Sequence, residues 1–268
     1  YEPRSVKLAA RAKELERQYE KSWQPTLADL VANRAYRRGF AERATVTAEC
    51  FTTNYQTLFE SEPLPEIAII HPLSRLPQLT ACAGLSNLET LDLAQTRLGP
   101  GHCRMFFRSS YLRQLQKLDL SDNSIGAEGL RAIFNARMDN LTELVLASSL
   151  EPVRELNVFR TQHLRNLKKL NLAANHLPWR ILSSLREASF WPTLETLDLS
   201  GNQLTECLPE LFAGHPTSNL RELILSGCDV SHYDFINTFL PDRFGHLEKL
   251  TLSSDLLFPA QAWVLLSD

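Results

Sequence analysis

The sequence predicts an α/β solenoid, a horseshoe with a parallel sheet on its concave side, helices on its convex side and an α-helical cap at its N-terminus. Three observations lead to this prediction. A short leucine pattern recurs along most of the 268 residues, its copies keep a nearly constant spacing, and the intervals between copies carry apolar residues at helical periodicity. Since 44% of the residues are hydrophobic, the chain can bury such a core.

The recurring unit has the form L-x-x-L-x-L-x-x-N-x-L or a close variant. Its fourth residues are Ile67, Leu91, Leu118, Leu144, Leu170, Leu197, Leu223 and Leu250, which lie 24 to 27 residues apart. This pattern resembles the leucine-rich repeat, which implies that each unit supplies one strand and stacks on the next. We therefore expect a repeat domain over residues 63–268, with about eight repeats.

Side chains within each unit alternate between the two faces of a strand. The fourth and sixth residues are apolar, which predicts that they point into the core. The third, fifth and seventh residues then point outward onto the concave face. The ninth residue, such as Asn123 or Asn175, can bond to backbone groups of neighbouring turns, so we expect it to have a structural role.

The intervals between the predicted strands differ in their patterns. Residues 125–137, 177–188 and 231–244 place apolar side chains at helical spacing. Such units resemble the ribonuclease-inhibitor-like class of repeats, which implies a convex helix of two to three turns. The interval between Leu146 and Leu167 departs most from this pattern, and we expect an irregular segment there.

Residues 1–62 differ in kind and are predicted to form the helical cap. Helical patterns begin near Val6 and Thr26, and a third covers Thr47 to Ser61. A cap is expected because a bare solenoid end exposes leucines and a strand edge. The stretch 37–67 resembles the leader of bacterial leucine-rich repeat proteins of the repeat-companion type, as in planctomycete proteins, and that resemblance implies a bacterial origin.

Composition and motifs argue against several function classes. The net charge of −3 provides no global attraction to nucleic acid or membranes, and no apolar run approaches the ~20 residues that span a bilayer. The sequence contains no nucleophile-elbow, phosphate-loop, dinucleotide or zinc-protease motif, so we expect no enzyme, metal or cofactor. Five cysteines without a C-x-x-C pair favour reduced thiols and a cytoplasmic location.

The concave face is the predicted binding surface for a protein partner. Its outward positions carry more acids than bases, on a floor of mostly small side chains. The predicted contact residues are Asp92, Asp119, Asp122, Glu143, Val145, Asn171, Asp198, Glu222 and Ile224. We expect a non-catalytic scaffold, because a rigid surface loses little entropy when it binds.

Two alternatives stay open. The chain begins at Tyr1 rather than Met, which is compatible with a recognition or regulatory module of a larger multidomain signalling protein. Its partners would then include further domains of the parent chain. Alternatively, Arg34, Arg37 and Arg38 would share one face of a helix and could bind nucleic acid. Ten basic and nine acidic residues in residues 1–62 make that reading the weaker one.

Overall fold

The computed structural model describes residues 14, 31–37, 40–61, 64–150, 153, 157–204, 208–212, 219–228, 238 and 246–252. Their strands form one open sheet in which spatial order follows chain order. The strands are β1 (Asn33–Arg37), β2 (Phe40–Thr47), β3 (Glu66–Ile70), β4 (Thr90–Asp92), β5 (Lys117–Asp119), β6 (Glu143–Val145), β7 (Lys169–Asn171), β8 (Thr196–Asp198), β9 (Glu222–Leu225) and β10 (Lys249–Leu252). All neighbours from β2 to β10 are parallel, which confirms the predicted sheet.

The strand register confirms the predicted phase of the repeats. The fourth residues of the repeats pair with one another from Ile67 on β3 to Leu250 on β10. In the short strand β5, Leu118 is buried while Lys117 and Asp119 on either side are partly exposed. A slip of one residue would exchange these faces, so the leucine pattern fixes the register.

The N-terminal region departs from the all-helical cap that the sequence predicted. β1 and β2 form an antiparallel hairpin, and β2 pairs in parallel with β3 and so extends the sheet. The helix predicted from Thr26 is therefore wrong over these residues. The physical reason is the two-residue period of β2, where Ala44 and Val46 are buried and Thr45 and Thr47 alternate with them.

The helix predicted over Thr47–Ser61 is confirmed as α1 (Ala48–Ser61). Thr47 caps it, since the Thr47 hydroxyl oxygen accepts a hydrogen bond from the backbone N–H of Cys50 at 3.1 Å. Tyr55 packs directly on Gly84, where an added Cβ would lie 2.7 Å from the Tyr55 side chain. The helix predicted from Val6 lies outside the described residues except for Glu14, and the boundary at residue 62 stays a prediction.

Short helices follow the strands and cover the opposite side of the sheet. They are α2 (Leu76–Thr80), α3 (Pro100–Phe106), α4 (Gly126–Phe134), α5 (Trp179–Leu182) and α6 (Leu208–Leu211), with 3₁₀ helices at Pro72–Arg75, Ala83–Asn87, Ser183–Glu187 and Trp191–Thr193. The helix expected over residues 125–137 is thus α4, which buries Leu130, Ile133 and Phe134.

Of the other three predictions for the intervals, two are confirmed and the third lies almost entirely outside the described residues. The interval 177–188 holds α5 and a 3₁₀ helix. Between Leu146 and Leu167 the described residues contain turns and no helix, as expected for an irregular segment. The helix predicted over residues 231–244 lies outside the described residues except for Thr238.

The ninth positions of the repeats form a buried ladder of hydrogen bonds. The Asn123 side-chain amide donates to the backbone carbonyls of Leu93 at 2.9 Å and Leu120 at 2.8 Å. Asn175 and Asn202 make the equivalent pairs of bonds. Buried backbone carbonyls at the strand ends thereby find partners, which confirms the structural role. The other described members are Thr96, Ser149 and Cys228, and Asp255 lies outside the described residues.

Candidate functional site

The candidate site is the concave face, where two adjacent columns of side chains point outward from the sheet. The third positions form what we call the charged column: Arg43, Glu66, Thr90, Lys117, Glu143, Lys169, Thr196, Glu222 and Lys249. The fifth positions form the central column: Ala68, Asp92, Asp119, Val145, Asn171, Asp198, Ile224 and Thr251. Eight of the nine predicted contact residues lie in these columns, and Asp122 lies just beyond β5.

The charged column begins with an arginine that sequence analysis missed. Arg43 comes from β2, and its Nε lies 3.2 Å from Glu66 Oε1. Its Nη2 lies 2.8 Å from Asp92 Oδ2, so the guanidinium joins the two columns. Asp92 was predicted as a contact residue, yet its charge is already neutralised within the molecule.

The middle of the charged column is an ion-pair triad. Lys117 Nζ lies 2.5 Å from Glu143 Oε1, and Lys169 Nζ lies 3.9 Å from Glu143 Oε2. The hydrogen bond to Glu143 raises the pKa of Lys117, and the nearby negative charges of Asp119 and Glu66 add to this rise. Glu143 is therefore held between two ammonium groups rather than free to bind a partner.

The C-terminal end of the charged column repeats this arrangement with one pair. Lys249 Nζ lies 2.5 Å from Glu222 Oε1. The three glutamates of the column, which are only 25–34% exposed, thus all have cationic neighbours. Much of the acidic bias that the sequence predicted for this face is cancelled by pairing between strands.

The acids of the central column use one side-chain oxygen to close the turn after their strand. Asp119 Oδ1 accepts hydrogen bonds from the backbone N–H of Ser121 at 2.9 Å and from the Ser121 hydroxyl at 2.6 Å. Asp198 makes the same two bonds to Ser200, at 2.9 and 2.7 Å. These are Asx turns, and the aspartate followed two residues later by serine is the sequence signal that predicts them.

Asparagine performs the same turn-closing role elsewhere in this column. Asn171 Oδ1 accepts a hydrogen bond from the backbone N–H of Ala173 at 2.8 Å. Asp92 Oδ1 accepts one from the backbone N–H of Ala94 at 2.9 Å. A negative charge is therefore not needed for the turn. Because the turn uses only Oδ1, the second carboxylate oxygens of Asp119 and Asp198 are available to bind another group.

Those two carboxylates flank the middle of the central column. Within the described residues, no lysine or arginine lies within 4.0 Å of Asp119 or Asp198. Val145 and Asn171 lie between them on β6 and β7, and all four side chains are partly exposed. With strands about 4.8 Å apart, the two acids are about 14 Å apart across three strand spacings.

The remaining predicted contacts lie at the edges of this group. Asp122 is exposed, adopts a positive φ of 54°, and accepts a hydrogen bond through Oδ2 from Gln95 Nε2 at 3.3 Å. Ile224 is paired in register with Asp198 and is partly exposed. The central column therefore presents hydrogen-bond acceptors around the apolar side chains of Val145 and Ile224.

The arginine cluster predicted near the N-terminus does not form a helical face. Arg34 and Arg37 lie on β1, where helical spacing no longer applies, and Arg38 lies outside the described residues. The geometric argument for a phosphate-binding helix is therefore wrong.

The described part of the chain shows neither a metal site nor a membrane span. Among those residues, no group of three or more histidine, cysteine, aspartate or glutamate side chains is placed to hold a metal ion. None of the helices described is both long enough and apolar enough to cross a membrane. Cys50, Cys82, Cys103 and Cys228 are not in disulfide bonds, and burial raises the pKa of Cys103 to about 12.

Comparisons with known proteins identify the repeats. Sequence models of the leucine-rich repeat match residues 111–134 and 193–215. Transforming growth factor beta activator LRRC33 of Danio rerio is 30% identical over 192 residues, which covers 56% of this chain and 27% of that protein. Toll-like receptor 9 of Mus musculus is 36% identical over 130 residues, covering 45% of this chain and 11% of that protein. The chain thus spans about a quarter or less of these relatives.

A solved structure shows the same fold. A protein of Bacteroides fragilis superimposes with a TM-score of 0.52 at 16% sequence identity, covering 78% of this chain and 64% of that one. Together with the strand register, this shows that the chain contains leucine-rich repeats stacked as a solenoid. Proteins built from such repeats generally mediate protein–protein interaction or ligand recognition and are typically non-catalytic.

Proposed function

We propose that this chain is a non-catalytic binding module that holds a partner protein on its concave face. The observation that carries the proposal is the division of that face into two columns. The charged column pairs its charges internally, whereas the central column leaves the outer carboxylate oxygens of Asp119 and Asp198 without a lysine or arginine within 4.0 Å among the described residues. Nine parallel strands give a surface about 38 Å long, which is enough for an interface of standard size.

The central column indicates the chemistry of the partner. Asp119 and Asp198 favour lysine, arginine or backbone N–H groups on the partner about 14 Å apart. Val145 between them favours a small apolar contact, and the Asn171 side chain adds hydrogen-bonding groups. A partner segment with basic residues on either side of an apolar residue satisfies all three requirements.

The test is a double substitution that removes charge without disturbing the turns. Asp119→Asn and Asp198→Asn together keep the Oδ1 acceptor, as Asn171 does naturally. A partner is first captured with the wild-type chain, identified by mass spectrometry and purified. We expect the double variant to bind it about tenfold or more weakly, with weaker salt dependence and unchanged thermal stability.

The matched control removes two exposed acids elsewhere. Asp139→Asn with Glu187→Gln changes the net charge by the same amount. The control variant is expected to bind like the wild type. Equal losses in both variants, or normal binding by the Asp119→Asn, Asp198→Asn variant, would show that the central column is not the site.

A second reading is that this module belongs to a larger signalling protein. The support is the length of the curated relatives, of which this chain covers 27% and 11%. In that case the partner bound by the concave face is either a separate protein or another part of the parent chain. Adding the purified remainder of the parent chain to the binding assay distinguishes them, since an internal partner would compete with the captured protein.

Nucleic-acid binding is an alternative that variants of the N-terminal arginines can test. Charge reversal of Arg34, Arg37 and Arg38 to Glu is expected to leave protein capture intact. Loss of RNA or DNA binding with a steep salt slope in this variant alone would replace the concave-face proposal. A bacterial origin and a cytoplasmic location rest on the resemblance of residues 37–67 and on cysteine usage, and both stay predictions.

A further inference from the structure

A cleft on the side of the solenoid away from the central column is lined by four arginines. Its volume is about 450 Å³, within the range of small-molecule sites. The arginines are Arg104, Arg108, Arg113 and Arg137, and the other lining residues are Phe107, Ser109, Ser110, Ala132 and Asn135. No aspartate or glutamate belongs to this lining within the described residues.

Three of the four guanidinium groups have no anionic neighbour in the described structure. Arg104 is the exception, because its Nη1 lies 3.7 Å from Glu128 Oε2. Arg108, Arg113 and Arg137 are exposed and lie beyond 4.0 Å from any described carboxylate. Like charges gathered in one concave place repel one another, and an anion bound among them relieves that repulsion.

A favourable position at the C-terminal end of a helix explains only some of these arginines. Arg104 lies in the last turn of α3 and Arg108 just beyond it, where positive charge complements the helix dipole. Arg137 lies three residues beyond the end of α4, whereas Arg113 lies in the segment that precedes β5, away from any described helix end that would require it. Two neighbouring repeats therefore contribute arginines to one cleft.

The floor of the cleft is buried and hydrogen-bonded to the neighbouring repeat, which favours a preformed site. Phe107 is 4% exposed and its ring contacts Phe106 edge to face, with centroids 5.3 Å apart. Ser109 is buried, and its hydroxyl donates to the backbone carbonyl of Thr80 in the preceding repeat at 2.6 Å. The loop that carries Arg108 and Arg113 is thus fixed to its neighbour before any ligand binds.

We propose that this cleft binds a small, multiply phosphorylated anion through Arg108, Arg113 and Arg137. Guanidinium groups match phosphate oxygens with paired, charge-assisted hydrogen bonds, and three unpaired groups suit a ligand with several phosphates better than a single one. The site is separate from the concave face, so a ligand here leaves the central column open to a protein partner.

The test uses inorganic tripolyphosphate as the probe and calorimetry on the full chain. We expect the wild type to bind tripolyphosphate about tenfold or more tightly than orthophosphate. Arg113→Gln with Arg137→Gln should weaken tripolyphosphate binding about tenfold or more, while circular dichroism shows the fold unchanged.

The control matches both charge and position. Arg165 is exposed and precedes its repeat leucine by two residues, as Arg113 does, but it lies outside the cleft, and Arg97 is likewise exposed and outside. Arg97→Gln with Arg165→Gln should bind tripolyphosphate like the wild type. Equal weakening in both double variants, an absence of tripolyphosphate binding, or preference for a single-stranded oligonucleotide at equal phosphate concentration would overturn the proposal.

Discussion

The inward and outward faces of the same strands differ in how similar their side chains are from one repeat to the next. On the inward face, Leu118 and its counterparts are nearly identical from repeat to repeat, and they are buried from Ile67 to Leu223. On the outward face, Lys117 and Asp119 flank that leucine and differ from the residues they pair with on the next strand. Because alternate residues belong to opposite faces, the stability of the fold and the proposed recognition depend on adjacent positions with little conflict between them.

The central column is where this separation fails. Asp119 closes a turn with one oxygen and faces outward with the other, so one side chain contributes to stability and, under the proposed function, also to recognition. The comparison between the two faces can therefore be tested position by position. The tests run from side chains that only stabilise the core to Asp119, which closes a turn and also faces outward.

The largest effect is expected at a purely inward residue. Leu172→Ala removes a fully buried side chain in the middle of the solenoid, and we expect it to lower the free energy of unfolding by about 2–5 kcal/mol. Reversible urea unfolding measures the change. Lys169→Ala, on the outward face of the same repeat, should change it by less than about 0.5 kcal/mol. A comparably small loss for Leu172→Ala would mean that this residue is not in the core.

The next effect is expected at the buried hydrogen-bond ladder. Asn175→Ala removes the side-chain donor of the Leu146 carbonyl and the buried acceptor of the Ser149 and Leu150 N–H groups, while the Leu172 carbonyl keeps a second donor from Asn202. The loss should cost about 1–3 kcal/mol. The control is Asn166→Ala, because Asn166 donates a similar bond at 2.8 Å to the Asp139 carbonyl but is exposed. Equal losses in urea unfolding for the two variants would contradict a special role for the buried ladder.

A smaller effect concerns alkaline pH and a buried thiol. Cys103 is fully buried, and burial raises its pKa from 9.0 to about 12. Between these values the unfolded thiol is ionised while the native thiol keeps its proton, so stability falls as pH rises. Between pH 9 and pH 10 the loss amounts to about 1 kcal/mol. In Cys103→Ala, the free energy of unfolding measured in urea should fall less steeply between pH 9 and 10 than in the wild type. An equally steep fall in both proteins would contradict a contribution from this thiol.

The sequence predicts most of the repeat fold because the core pattern is local and regular. A leucine at the fourth position, repeated at 24 to 27 residues, determines both strand position and register, so Leu91, Leu118 and Leu144 pair as expected. β2 was missed because its inward residues are Ala44 and Val46 rather than leucines. Its alternation with Thr45 and Thr47 is the signal that predicts a strand.

The candidate site was predictable in position but not in charge. The outward columns follow from the register alone, yet the pairing of Arg43 with Asp92 requires a strand that the leucine pattern does not mark. The cleft with Arg113 and Arg137 was not predictable, since these residues come from loops of two repeats and share no spacing rule. Only the packing of neighbouring repeats brings them together.

The smallest effect is expected where both faces meet, and it separates the two roles of one aspartate. Asp119→Ala removes the acceptor for the Ser121 N–H and hydroxyl, and we expect it to cost about 0.5–1 kcal/mol in urea unfolding, because these partly exposed groups can bond to water instead. Asp119→Asn keeps the acceptor, as Asn171 shows, and should leave stability within about 0.5 kcal/mol of the wild type. Since both variants lose the negative charge, both should weaken capture of the partner protein, whereas only the alanine variant should unfold more easily. If the asparagine variant is destabilised as much as the alanine variant, the charge itself supports the fold. Asp119 would then belong to the stabilising side of the comparison, and recognition would have to rest on Asp198 and its neighbours.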